Sequence, residues 1–281
     1  MPLINLHTHS SFSDGTLPPE RLAAAAADAG VKYFSLTDHD NTAGWRGLGP
    51  LLSARGLRWC RGVELSTRLH DSLHVLGYGV DTESQELLSA LEEFRRRRLS
   101  RMEEILSLLR PLGFSATLAD LEAAGPPPAA DEAPAARTYG RPHLADLMES
   151  RRFVRSRKQA FEKYIGYGCP AYVPPRGPDM EESIKAVKSA GGAAVIAHPG
   201  VVEKVLDLGA WKDMGLDGLE AFYPSHTVRK TGEFLELARR HGLGVTAGTD
   251  FHGPGTGREE MSGFEYDGAN FGWLEKYWSC G

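Results

Sequence analysis

Short apolar segments of this chain repeatedly end in histidine and carboxylate residues, and this repetition limits the folds that the chain can adopt. The segments have the length and composition of buried strands, and helical patterns separate most of them. Strands that alternate with helices are typical of parallel βα units, whose carboxyl ends meet at one edge of the sheet. The polar groups at these ends are His7 with His9, Asp38 with His39, Glu64, His198, and Asp250 with His252.

The number of strands favours a closed sheet. About seven strands are predicted, and most of them contribute a polar residue at their end. An open, doubly wound sheet builds its site mainly in one crevice, whereas a barrel collects side chains from many strand ends. Residues 84 to 110 instead predict one or two long charged helices, and the Pro/Ala-rich residues 125 to 136 predict an exposed spacer.

The charge is unevenly distributed along the chain. The formal net charge is −5, yet Arg95 to Lys163 carries 14 Lys+Arg against 9 Asp+Glu, so the remainder is strongly acidic. An acidic frame that collects divalent cations would then lie beside a basic block that faces an anionic substrate. Taken alone, the runs Arg95–Arg98 and Arg151–Lys158 are better explained as solvated helix faces.

The chain shows no sign of a membrane or secreted protein. No apolar run approaches the roughly 20 residues that span a bilayer, and the first residues do not resemble a signal peptide. The three cysteines are far apart and lack CxxC spacing. They predict reduced thiols and a cytoplasmic location.

His7 and His9 occupy alternate positions at the end of the first strand, so both rings face the same side. Such a pair could bond to the backbone, but neutral imidazole is also a good metal ligand. Nine N and O ligands exceed the needs of one ion and suit two or three ions of Zn, Mn or Fe. The candidate ligands are His7, His9, Asp14, His39, Glu64, His74, His198, Asp250 and His252.

These motifs together resemble the PHP (polymerase and histidinol phosphatase) family. The matching segments are His7-Thr8-His9-Ser10, Thr37-Asp38-His39-Asp40, Gly62-Val63-Glu64, His198-Pro199-Gly200 and Asp250-Phe251-His252. The resemblance is to the stand-alone phosphoesterases that include nucleoside 3′,5′-bisphosphate phosphatases and small 5′–3′ exoribonucleases. It implies an α/β fold, a distorted (β/α)7 barrel formed by residues 1–94 and 171–281, with a helical insertion at 95–170.

The resemblance also implies a ligand arrangement and a reaction. One ion would be held by His7, His9, Glu64 and Asp250, a second by Glu64, His74 and His198, and a third by Asp14, His39 and His252. The enzyme would be a hydrolase that uses metal-activated water on the phosphate ester of a 3′,5′-bisphosphonucleotide or of a short RNA. Neither a membrane nor a stable duplex nucleic acid is an expected partner.

Other residues are candidates for substrate contact and proton transfer. Arg141 and His143 are predicted to bind phosphate, since arginine offers a bidentate fork, and Lys163 is a weaker candidate. His226 could bind phosphate or protonate the leaving alkoxide. Asp38 is assigned a catalytic role in orienting an imidazole.

Three alternatives remain open from the sequence. Histidinol-phosphate phosphatase activity belongs to the same family, and amidohydrolases also use metal ions at strand ends. A metal-stabilised RNA-binding module would use the basic runs and show salt-dependent binding without a product. The overall acidity and the complete ligand set count against this last interpretation.

Overall fold

The computed structural model of the protein describes residues 1–124, 137–202 and 206–279. The spacer predicted at 125–136 therefore lies outside the described residues. The strands are β1 (Leu3–Asn5), β2 (Val31–Phe34), β3 (Arg58–Trp59), β4 (Gly62–Ser66), β5 (His74–Tyr78), β6 (Ala193–Ile196), β7 (Gly218–Phe222), β8 (Gly244–Ala247) and β9 (Phe264–Glu265).

Helices lie between most of the strands and follow the expected terminal signals. Proline begins α1, and the Thr227 hydroxyl accepts from the Lys230 N–H at the start of α9, which ends at Gly242 with φ 60°. The α-helices are α1 (Pro19–Asp28), α2 (Leu48–Ala54), α3 (Gln85–Leu109), α4 (Leu118–Ala124), α5 (Arg141–Ser150), α6 (Arg157–Ala160), α7 (Met180–Ser189), α8 (Leu208–Asp213), α9 (Val228–His241) and α10 (Gly268–Phe271).

The strands form two mixed sheets, in the orders β3-β2-β1-β9 and β4-β5-β6-β7-β8. The parallel arrangement expected of alternating strands and helices does not extend to β5, which is antiparallel to both β4 and β6, or to β9, which is antiparallel to β1. The connection from β4 to β5 is too short for the crossover that a parallel pair needs. Because β5 is reversed, its first residue, His74, lies at the edge where the parallel strands end.

Backbone hydrogen bonds link the two sheets near the predicted ligands. Leu6 N–H, just after β1, donates to the Ala247 carbonyl of β8 at 2.9 Å. Glu64 N–H in β4 donates to the Asp38 carbonyl at 3.1 Å, and Asp40 N–H donates back to the Glu64 carbonyl at 2.8 Å. These bonds hold the ends of β1 and β8, and of β2 and β4, side by side.

Helix α3 contributes to two separate hydrophobic cores. Leu87 and Leu91 pack with the residues of β4 to β8, whereas Met102 and Ile105 pack with α4, α5 and the segment up to residue 173. The predicted boundary between residues 94 and 95 thus falls inside one continuous helix. The division into a barrel and an insertion stays a prediction.

Among the described residues, no helix is both long enough and apolar enough to cross a membrane. The cytoplasmic location stays a prediction.

Candidate metal centre

The two histidines that follow β1 lie at the centre of a buried cluster. His7 Nε2 is 3.2 Å from Glu64 Oε2 and 3.4 Å from Asp250 Oδ1. His9 Nε2 is 3.0 Å and 3.2 Å from the same two oxygens. The four side chains could hold one metal ion, and this is the set that the resemblance implied for the first ion.

Two further potential binding groups share members with the first. One consists of His39, Glu64 and His74, so His39 takes the place that the resemblance gave to His198 in the set for the second ion.

His252 Nε2 lies 3.2 Å from Asp14 Oδ1, and with His9 and His39 these residues form a second potential binding group. The set that the resemblance implied for the third ion was Asp14, His39 and His252, without His9. The His9 ring belongs both to this group and to the first.

Glu64 is the residue that joins the clusters. Its Oε1 lies 2.7 Å from His74 Nδ1 and 3.3 Å from His198 Nε2, while its Oε2 lies 3.2 Å from His39 Nδ1. The structure therefore brings all nine predicted ligands together, and we call these nine residues the metal centre.

Several buried atoms of the metal centre crowd together at 3.0–3.4 Å, yet none of them has a hydrogen bond of acceptable geometry within the described part of the chain. A buried carboxylate oxygen or imidazole nitrogen without a partner is costly, and together these atoms form a donor set of the kind that divalent transition metals prefer. The metal centre therefore fits divalent metal ions. The atoms are His7 Nε2, His9 Nε2, Asp14 Oδ1, Glu64 Oε2 and Asp250 Oδ1.

The electrostatics keep the central carboxylate charged. Burial alone would raise the pKa of Glu64, but the imidazoles of His7 and His39 outweigh burial and hold this pKa well below its usual range. Charge on Glu64 suits it to bridge cations.

A carboxylate that the sequence analysis missed supports two of these ligands. Glu220, fully buried in β7, lies 3.1 Å through Oε1 from His7 Nδ1 and accepts the His198 backbone N–H through Oε2 at 2.7 Å. A Cβ on Gly248 would lie 2.7 Å from Glu220 Oε1, so only glycine leaves room here. In the sequence, the sign of this role is that Glu220 is a single carboxylate within an otherwise apolar strand.

Asp250 is held by two other residues that the sequence analysis did not single out. Its Oδ2 accepts from the Tyr223 hydroxyl at 3.0 Å and pairs with Arg258 Nη1 at 2.6 Å. Asp250 has φ 55°, and His198 has φ 29°, both in the left-handed region that is costly for residues other than glycine. The surrounding contacts therefore fix Asp250 so that Oδ1 faces His7 and His9.

Asp38 supports the first histidine pair indirectly. Its carboxylate accepts from the Ser10 backbone N–H at 2.7 Å and from the Ser13 hydroxyl at 2.6 Å. Ser13 Oγ lies 3.3 Å from His9 Nδ1. Asp38 thus reaches the His9 imidazole through Ser13.

Two histidines predicted to contact substrate have both ring nitrogens engaged by backbone groups. His143 Nε2 lies 2.9 Å from the Ser13 carbonyl, and its Nδ1 accepts from Gly140 N–H at 3.0 Å. His226 Nδ1 lies 2.9 Å from the Ala221 carbonyl, and its Nε2 accepts from Gly200 N–H at 3.1 Å. Neither ring lines the cavity described next, and the same is true of Lys163, which is exposed.

A cavity of about 380 Å³ opens onto the metal centre. It is lined by His39, Glu64, His74, His198 and His252 on one part of its surface. Another part, which we call the arginine wall, consists of Arg98, Arg101, Arg141, Arg157 and Arg176.

Each arginine of this wall has a carboxylate partner. Arg101 and Arg141 both contact Asp71 Oδ1, at 2.7 Å and 3.0 Å, and Arg98 contacts Asp40 at 2.8 Å. The arginines of the run Arg95–Arg98 in α3 therefore have different surroundings. Arg96 pairs with Glu93 on an exposed surface, as a solvated face predicts, while Arg98 lines the cavity.

Sequence comparisons identify the family of the chain. Residues 5–111 match the PHP domain. A 3′,5′-nucleoside bisphosphate phosphatase of Chromobacterium violaceum is 33% identical over an alignment of 274 positions, which covers 93% of this chain and 91% of that protein. A 5′-3′ exoribonuclease of Haemophilus influenzae is 31% identical, over 89% of this chain and 90% of that protein.

The fold of a solved protein agrees with these matches. A structure from Bifidobacterium adolescentis, assigned as a metal-dependent phosphoesterase, superposes with a TM-score of 0.83 at 30% identity. The superposition covers 97% of this chain and 95% of the other. The chain therefore belongs to the PHP family, and it is a metal-dependent phosphoesterase.

Proposed function

We propose that this phosphoesterase hydrolyses the phosphate ester of a 3′,5′-bisphosphonucleotide or of a short RNA. The observation that carries the proposal is the cavity that joins the metal centre to the arginine wall. A substrate with two phosphates could place one at each part. The names of the Chromobacterium and Haemophilus relatives support substrates of this kind.

The metal centre would hold two or three ions of Mn, Zn or Fe, since Glu64 and His9 each belong to two of the potential binding groups. Such ions, when bound, supply hydroxide from water near neutral pH and neutralise charge that develops on the phosphoryl oxygens. The chain itself contributes the positions of the ligands. Glu220 fixes the ring of His7, and Asp38 acts on His9 through Ser13.

Arg141 is the residue that we assign to the second phosphate. Its Nη2 pairs with Asp71, and its guanidinium lies over the rings of Phe161 and Tyr172, 5.4 Å and 5.9 Å from their centroids. These contacts fix the plane of the guanidinium, so little side-chain freedom remains to be lost when phosphate binds. His143 and His226 would position backbone segments, in place of the substrate contacts predicted for them.

The same proposal includes the architecture. The backbone bonds that join β1 to β8 and β2 to β4 would close the strands into a distorted seven-stranded barrel, with β3 and β9 outside the ring. Residues 95–170 would form the insertion that carries most of the arginine wall. With this division, the substrate site would lie in the cavity between barrel and insertion and would need residues of both parts.

A substrate panel tests this proposal. The purified chain, loaded with Mn, Zn or Fe, is assayed with a 3′,5′-bisphosphonucleotide, a short 5′-phosphorylated RNA, histidinol phosphate and a cyclic amide. We expect turnover of the first or second compound. Preference for histidinol phosphate or the cyclic amide would contradict the proposal, and RNA binding without any product would favour a binding module.

A further inference from the structure

Arg258 is a cavity-lining arginine that lies outside the arginine wall. It belongs to the glycine-rich segment after β8, in which Gly253, Gly255 and Gly257 all have positive φ. The Arg258 carbonyl accepts the His252 backbone N–H at 2.9 Å. This bond ties the segment to a ligand of the metal centre, so Arg258 is anchored close to the ions' expected position.

The guanidinium of Arg258 is only partly engaged. Nη1 forms the ion pair with Asp250 Oδ2 at 2.6 Å, and the side chain is 49% exposed. Across residues 1–124, 137–202 and 206–279, no other ion pair or hydrogen bond of this guanidinium is found. Arginine carries five N–H donors in a rigid fork, so several remain for a ligand in the cavity.

The position of Arg258 differs from that of the arginine wall in one respect. The five arginines of the wall pair with carboxylates outside the metal centre, such as Asp71 and Asp146. Arg258 instead pairs with Asp250, whose other oxygen faces His7 and His9. A phosphoryl group at the metal centre would therefore lie beside Arg258.

We propose that Arg258 is a catalytic residue that donates hydrogen bonds to the phosphoryl group under attack, with its fork oriented by Asp250. The inference rests on the proposed function, because it concerns the same site. In phosphoryl transfer, charge spreads over the nonbridging oxygens, and a fixed guanidinium stabilises this charge more than it stabilises the ground state. Tyr223, the other donor to Asp250, would act only as a positioning residue.

The test compares Arg258→Met with Tyr223→Phe, each at matched metal content. Arg258→Met should lower kcat by about 100-fold, as loss of one oriented donor does in comparable sites. It should also weaken the binding of inorganic phosphate to the metal-loaded protein by at least about 10-fold, which corresponds to the lower end of the range for hydrogen bonds to charged groups. Tyr223→Phe should change neither phosphate affinity nor kcat to this extent.

A structural role for Arg258 would give a different result. If Arg258 only holds Asp250, Arg258→Met and Tyr223→Phe should lose metal to the same extent. Once the metal content is restored, Arg258→Met should then bind phosphate as the wild type does. This outcome would overturn the inference. Arg239→Met, which removes an exposed arginine paired with Glu236, is the matched control. Absence of turnover by the wild type would instead contradict the proposed function, while the phosphate titration would still test Arg258.

Discussion

The metal centre and the arginine wall line one cavity but satisfy their polar groups in different ways. At the metal centre, buried atoms such as His7 Nε2 and Glu64 Oε2 have no hydrogen-bond partner in the described part of the chain. In the arginine wall, guanidinium groups such as those of Arg98 and Arg101 already contact carboxylates. The polar atoms of the metal centre need a bound ligand to be satisfied, whereas the guanidinium groups of the arginine wall are already paired without one.

This difference separates two contributions to function. Unpaired buried ligand atoms store a cost that metal binding relieves, so binding of metal should stabilise the fold. Paired arginines keep their geometry without substrate and lose little entropy when substrate binds. Variants at the metal centre should therefore change metal content, while variants in the arginine wall should change substrate affinity alone.

The largest effect is expected for His9→Ala, which removes an imidazole that belongs to two of the potential metal-binding groups. Activity should fall by more than about 100-fold, the upper end of the loss for residues that merely support a ligand. Metal analysis should show fewer bound ions, and the circular dichroism spectrum should remain that of the wild type. Near-wild-type turnover with full metal content would show that His9 is not a ligand.

A smaller effect is expected for Glu220→Gln, which keeps the side-chain volume but removes the negative charge beside His7 Nδ1. Residues that orient metal ligands typically contribute about 10- to 100-fold to metal affinity or activity. Metal titration followed by an activity assay measures both. Glu233→Gln, at an exposed ion pair with Arg229, is the control, and equal behaviour of the two variants would contradict the role of Glu220.

The smallest effect is expected for Arg141→Lys, which keeps the charge but loses the fork that contacts Asp71. KM for a 3′,5′-bisphosphonucleotide should rise by about 10-fold, since one charged hydrogen bond is at stake. Metal content and KM for a substrate with a single phosphate should not change. A matching loss with both substrates would mean that Arg141 does not recognise the second phosphate.

The convergence of the nine candidate ligands could be anticipated from the sequence because histidines and carboxylates at strand ends have a distinctive chemistry and a simple geometry, whereas their role as metal ligands stays a prediction. Histidines at strand ends converge when the strands are neighbours, whatever the details of the helices between them. Even His74, in a strand of unexpected direction, fits this rule, since the reversal of β5 brings its first residue to the same edge. The antiparallel direction of β5 follows from the short connection between β4 and β5.

The residues around the ligands were less predictable. Glu220, Tyr223 and Arg258 act through contacts between segments far apart in the chain, and no local pattern marks them. His143 and His226 show the converse problem. Their position in the sequence suggested substrate contact, but a histidine can also satisfy backbone groups with both nitrogens, and only tertiary structure distinguishes these roles.

Helix α3 has a mechanical consequence. Its first turns belong to one hydrophobic core and its last turns to the other, with no loop between them. A continuous helix shared in this way resists hinge motion, so the two hydrophobic cores cannot move far apart without breaking helical hydrogen bonds. We therefore expect the width of the cavity to change mainly by side-chain movement. Amide hydrogen exchange in the middle of α3 should be as slow as in the strands.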